Sequence, residues 1–116
     1  MMGQVLEWAP FRLKQGIDEA TLLEASERVQ RDFLARQEGF VRRELIKGAE
    51  GAYIDLIWWS SFAASQAAVK SGACSTAWRA YFMLMDRTAG DPRDHVLLYN
   101  VEGSYRPAAR LLALAV

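Results

Sequence analysis

The stretch YIDLIWWSSFAASQAAVKSG, residues 53–72, decides the fold. Ala52 through Trp59 read as a strand, dense in the aromatic and β-branched residues that suit a pleated surface. Ser60 or Ser61 then caps a short helix, and Gly72 ends it. The strand is apolar on both sides, yet a carboxylate, Asp55, sits in its middle. Ala52, Ile54, Leu56 and Trp58 form one wholly apolar face. Tyr53, Asp55, Ile57 and Trp59 form the other, which is still too apolar to stand in water.

Outward from this stretch, glycine and proline punctuate the chain at Gly16, Gly39, Gly48, Gly51, Gly72, Gly90, Pro92, Gly103 and Pro107. QVLEWAPFRL (4–13) alternates as a strand. GIDEATLLEASERVQRDFLARQEG (16–39) reads as a helix capped by Asp18. Leu22, Ala25, Ser26, Val29 and Phe33 share one of its faces, and Gly39 is its stop. FVRRELIKGAEG (40–51) is a strand running into a turn. STAWRAYFMLMDR (75–87) continues helically after Gly72, with Trp78, Tyr81, Phe82 and Met85 turned to a core. TAGDPRD (88–94) is a loop, and HVLLYNVEGSY (95–105) is the last strand.

The order is βαββαβ. It predicts an α+β, ferredoxin-like fold: a four-stranded antiparallel sheet with helices on one face. In such a sheet the second face should alternate apolar with polar. Here it does not, and an apolar patch of that size marks an association surface. A second copy of the chain is therefore expected over the Tyr53, Asp55, Ile57 and Trp59 face, two sheets meeting in a symmetric homodimer. The chain is read as one domain over 1–116, its core at about 4–104 and its apolar tail at 105–116.

Fourteen basic and fourteen acidic residues cancel among 116. That balance excludes an electrostatic footprint for nucleic acid or an anionic membrane. Cys74 is the sole cysteine, so no intrachain disulfide forms; its place near a helix start leaves a reactive thiol open, but it reads first as a buried or bystander residue. No cationic leader or long apolar span is present, so a cytoplasmic protein is expected. One histidine and one cysteine make no ligand cluster, so no metal is expected. No nucleotide-binding glycine motif and no GxSxG occurs either. RNA-recognition modules share the element order, but GFVRREL lacks their aromatic pair.

FRLKQGIDEATLLEA, QEGFVRREL, GAEGAYIDLIWWSSFAASQAA and HVLLYNVEG together resemble the dimeric α+β barrel superfamily, and within it the antibiotic-biosynthesis-monooxygenase-type domains. The resemblance covers about residues 4–104. It implies a homodimer whose sheets close a barrel. It implies further that some relatives oxidise polyketide-type aromatics with oxygen and no metal or flavin, so no cofactor is expected, while others degrade haem. The haem-degrading branch relies on an Asn, a Trp and a His as a set. Here Glu7 stands on the first strand, and the one histidine, His95, sits at the last strand, which argues against haem degradation.

Glu7 and Asp55 are the unusual positions, because the first and third strands lie side by side in this topology. Two buried carboxylates on one face would push one pKa upward and suit a general base. Arg42 or Arg43 could instead neutralise them, and pairing of that kind is the commoner fate of buried charge. His95 is a further candidate base, although a histidine after DPRD at a strand entrance is more often solvated. Trp8, Arg42, Trp58, Trp59 and Tyr99 are candidates to hold a small aromatic ligand among the many aromatic side chains of the core. Two functions remain. One is a cofactor-independent monooxygenase-like enzyme acting on aromatic or polyketide-like substrates. The other is a non-catalytic homodimer that binds a ligand or simply assembles.

Overall fold

The computed structural model describes residues 3–108. Strand β1 (Val5–Arg12) leads into helix α1 (Glu19–Asp32). Strands β2 (Phe40–Lys47) and β3 (Ala52–Trp59) follow, then helices α2 (Phe62–Gly72) and α3 (Thr76–Phe82), and strand β4 (Leu97–Asn100) closes the sheet. The strands form one antiparallel sheet in the order β2-β3-β1-β4.

The caps explain the boundaries. Asp18 accepts a hydrogen bond from the Thr21 amide at 2.8 Å, and Ser61 accepts one from Ala64 at 3.0 Å. Each satisfies an amide that the first helical turn leaves without a partner. Ser75 does the same for Trp78, so the helical stretch after Gly72 is a separate helix, broken at 73–75. Helix α1 ends at Asp32 instead of running to Gly39. A 3-10 turn, Leu34–Arg36, follows, and Gly39 turns the chain into β2 with φ of 85°. The last strand is also shorter than its sequence pattern. Residues 92–95 form a 3-10 turn and only Leu97–Asn100 pair with β1. That pairing stops at Trp8, so Pro10 sits where β1 has become an edge, the setting in which a sheet tolerates proline.

The two faces of β3 are the reverse of the sequence expectation. Tyr53, Asp55, Ile57 and Trp59 are the buried residues, packed with Leu22, Val29, Phe33, Tyr81 and Phe82 of the helical layer. Ala52, Ile54, Leu56 and Trp58 lie on the open face and are only half-buried. Hydropathy alone favours the second set for the core. Asp55 is nevertheless buried because its neighbours supply the hydrogen-bond donors and the positive charge that a carboxylate needs in the interior.

The open face carries Leu6 and Trp8 from β1, Ile54, Leu56 and Trp58 from β3, and the exposed Leu97 and Tyr99 from β4. No helix among the described residues is long and apolar enough to cross a membrane. The tail expected to be apolar lies outside the described residues from position 109 onward; Tyr105 before it is exposed.

Candidate functional site

Between the helix-facing side of the sheet and helices α2 and α3 lies a cleft of about 560 Å³. Ligand sites commonly span roughly 300–1,000 Å³. Its floor is the sheet, with Glu7 and Phe11 from β1, Asp55 and Ile57 from β3, and Leu98 from β4. One wall is α3, whose Trp78 and Phe82 lie parallel, 4° between ring planes and 6.1 Å between centroids. Phe33, the residue that caps the end of α1, backs Trp78 at 5.9 Å. Ser65, Gln66 and Val69 of α2 and Arg93 of the 92–95 turn also line it.

Glu7 stands on this floor because β1 alternates: Val5, Glu7, Ala9 and Phe11 share the helix side, and Glu7 sits opposite Ile57. The indole Nε1–H of Trp59 donates to Glu7 Oε1 at 3.0 Å. Among the described residues Glu7 enters no ion pair. Among the described residues its other oxygen has no hydrogen-bond partner and yet is not sealed, since the one sealed side-chain oxygen lacking a partner there is Gln30 Oε1. Oε2 therefore keeps some access, and Glu7 lines the cleft. Burial pushes the Glu7 carboxyl above its ordinary value of 4.5. The Asp55 charge adds to the rise and the Trp59 hydrogen bond partly opposes it.

Asp55 is held differently. Arg43 Nε donates to Asp55 Oδ1 at 2.9 Å, and Tyr81 Oη donates to Oδ2 at 2.6 Å. The same guanidinium reaches Ser26 Oγ at 2.9 Å, the Ser26 carbonyl at 3.2 Å and Tyr81 Oη at 3.1 Å. Both charged side chains are 7% exposed. A bulge makes this possible. The β2–β3 register shifts between Phe40 and Arg42, so Phe40 and Arg43, three apart, both face the helices. Burial acts to lower the Arg43 pKa, but Asp55 and Tyr81 offset it and leave it raised. Burial, reinforced by the Asp55 anion, holds the Tyr81 phenol far above the ordinary tyrosine value. Both Asp55 oxygens are thus committed.

Of the other residues named from the sequence, Trp59 is sealed behind Glu7, 1% exposed, and acts through it. Trp8, Arg42, Trp58 and Tyr99 stand on the open face, across the sheet from the cleft. There the Arg42 guanidinium lies 4.0 Å over the Trp58 ring and pairs with Glu44. His95 is exposed in its turn and does not line the cleft, although Arg93 and Val96 beside it do. Trp78, Phe82 and Arg79 do line it. The sequence marked the first two as core aromatics, and nothing distinguished Arg79 from a surface arginine. Among the described residues no group of three or more His, Cys, Asp or Glu side chains could hold a metal ion.

No family model matches the chain, and no curated protein matches it. Solved structures do. The cofactor-independent oxygenase SnoaB from Streptomyces nogalater is 18% identical, with a TM-score of 0.64 over 91% of this chain and 98% of that one. A candidate antibiotic biosynthesis monooxygenase from Bordetella bronchiseptica is 14% identical, with a TM-score of 0.66 over 89% and 99%. Another from Nitrosomonas europaea is 12% identical, with a TM-score of 0.61 over 90% and 94%. The chain has the α+β, ferredoxin-like fold of the antibiotic-biosynthesis-monooxygenase-like domains.

Proposed function

We propose that the chain is a small-molecule enzyme of the cofactor-independent oxygenase kind, acting on an aromatic or polyketide-like substrate in the cleft. The observation that carries this reading is Glu7, a half-buried carboxylate with no ionic partner among the described residues, on the floor of a cleft walled by Trp78 and Phe82. Asp55 is spent on Arg43 and Tyr81, so the base is Glu7.

Burial makes Glu7 a stronger base than a solvated carboxylate, and a base works best when its pKa approaches the ambient pH. Oε2 takes a proton from a methylene made acidic by flanking rings and a carbonyl. The resulting carbanion reduces dioxygen and bonds to it, giving a peroxide anion that is reprotonated. Loss of water across the new C–O–O–H group leaves a carbonyl. The net change is CH2 plus O2 to C=O plus H2O, so dioxygen is the oxidant and no other electron source is needed. The Trp59 N–H favours the charged form of Glu7 and fixes its orientation.

Anthrone is a suitable probe, its oxidation followed by absorbance and oxygen uptake above the uncatalysed rate. Glu7→Gln should lower turnover by about 10²–10⁴-fold while leaving the fold intact. Full turnover in that variant would remove the base assignment and leave the second reading, a non-catalytic ligand-binding dimer, which the Arg43–Asp55 pairing favours.

The homodimer belongs to either reading. Its surface here is the open face, where Leu6, Trp8, Ile54, Leu56, Trp58 and Leu97 form a contiguous apolar patch. Trp58→Glu should convert a dimer to a monomer in light scattering; an unchanged mass would place the contact elsewhere.

A further inference from the structure

The cleft is polar at two places of opposite sign. Glu7 lies on its floor, and Arg79 lines it from α3 while remaining exposed, which puts the guanidinium at the mouth. Arg93 also lines the cleft but is already neutralised. Its Nη2 lies 2.6 Å from Asp91 Oδ2, its Nε bonds both Asp91 oxygens, and its guanidinium rests over the Phe82 ring. Arg79 has no acidic partner among the described residues. Among the described residues its one side-chain hydrogen bond is Nη1 donating to the Ala73 carbonyl at 3.2 Å. That bond tethers the guanidinium across the break between α2 and α3 and leaves its remaining donors and its charge unspent.

We propose that Arg79 selects a ligand bearing an anionic group, a carboxylate above all, and holds that group at the mouth while the uncharged aromatic part enters the cleft. This rests on the reading of the cleft as the substrate site. The floor sets the direction, because an anion pushed inward would meet the Glu7 carboxylate. The anionic end therefore stays outside at Arg79, and the acidic C–H or O–H end goes in. A planar guanidinium with free N–H donors suits bidentate binding of a carboxylate, and a charged donor strengthens those bonds. The exposed position tempers the gain, since water and salt screen a pair at the surface.

The test uses two flat probes that differ only in this group, anthraquinone-2-carboxylate and 2-(hydroxymethyl)anthraquinone. Each is titrated calorimetrically into the wild-type protein, Arg79→Gln and Arg79→Lys, and the Trp78 indole N–H resonance reports where the probe binds. The carboxylate should bind the wild type roughly three- to tenfold tighter at low salt. Arg79→Gln should abolish that preference without weakening the neutral probe, and Arg79→Lys should keep part of it. Equal affinities on the wild type, or a preference unchanged in Arg79→Gln, overturns the role of Arg79; a Trp78 shift with the neutral probe then leaves the cleft reading standing. If neither probe moves the Trp78 resonance, the cleft reading falls and this inference falls with it.

Discussion

Replacing Arg43 with methionine keeps most of the side chain's length and removes its charge and four hydrogen bonds, to Asp55, to Tyr81 and twice to Ser26. Asp55 then keeps one donor, the Tyr81 hydroxyl, in a site where the carboxylate is 7% exposed. Breaking a buried pair from one side costs about 3–5 kcal/mol, because the remaining charge loses its compensation. A domain's whole stability is about 5–15 kcal/mol. At about 4 °C per kcal/mol for a domain of this size, the melting temperature should fall by roughly 12–20 °C. Asp55→Asn should cost a similar amount, since it strands the guanidinium instead. The double variant strands neither, so its loss should fall short of the sum of the single losses by about 2 kcal/mol or more. Urea denaturation of the four proteins at one pH and one protein concentration closes the cycle. Additivity within about 0.5 kcal/mol would refute the claim that Arg43 and Asp55 compensate each other as one buried pair.

Glu7 should make the protein less stable as the pH rises. Its folded pKa lies above the unfolded 4.5, so between the two values the native state holds a proton that the unfolded chain has released. Stability therefore falls as pH climbs from 4.5 through the raised value and is flat beyond it. Glu7→Gln, whose amide oxygen can still accept from Trp59, should match the wild type near pH 4 and melt above it at pH 8; an offset equal at both pH values would contradict this. Gly39→Ala should cost roughly 2–4 kcal/mol, because φ is 85° and the new Cβ would stand 2.5 Å from Ala64 Cβ and 2.7 Å from Ser60 Oγ. A chemical-denaturation midpoint at the wild-type value would show that the turn into β2 relaxes.

Strand and helix identities were legible because caps and periods are local. Asp18 and Ser61 each precede a helix they cap, and β3 is strand-like throughout, whereas Ser75 read as part of a continuing helix and not as the cap of a new one. Which face of β3 goes inward was not legible, because a period of two defines two faces without ranking them. Hydropathy ranked Ile54, Leu56 and Trp58 first. The interior instead took Asp55, whose acceptance depends on Arg43, and Arg43 faces inward through a bulge that no alternation pattern shows. Trp8, Arg42, Trp58 and Tyr99 follow from the same inversion: they are neighbours in space, on the side away from the cleft. Glu7 was visible as a carboxylate amid apolar strand residues, whereas Arg79 needed the break between α2 and α3 to set it at the mouth.

The four tryptophans divide the molecule into three observable compartments. Trp8 and Trp58 lie on the open face, Trp78 on the cleft wall, and Trp59 in the interior with its N–H on Glu7. The indole protons thus indicate three different events: self-association for Trp8 and Trp58, occupancy of the cleft for Trp78, and the charge on the carboxylate for Trp59. One titration followed by indole resonances would record all three at once, with no label added to the chain.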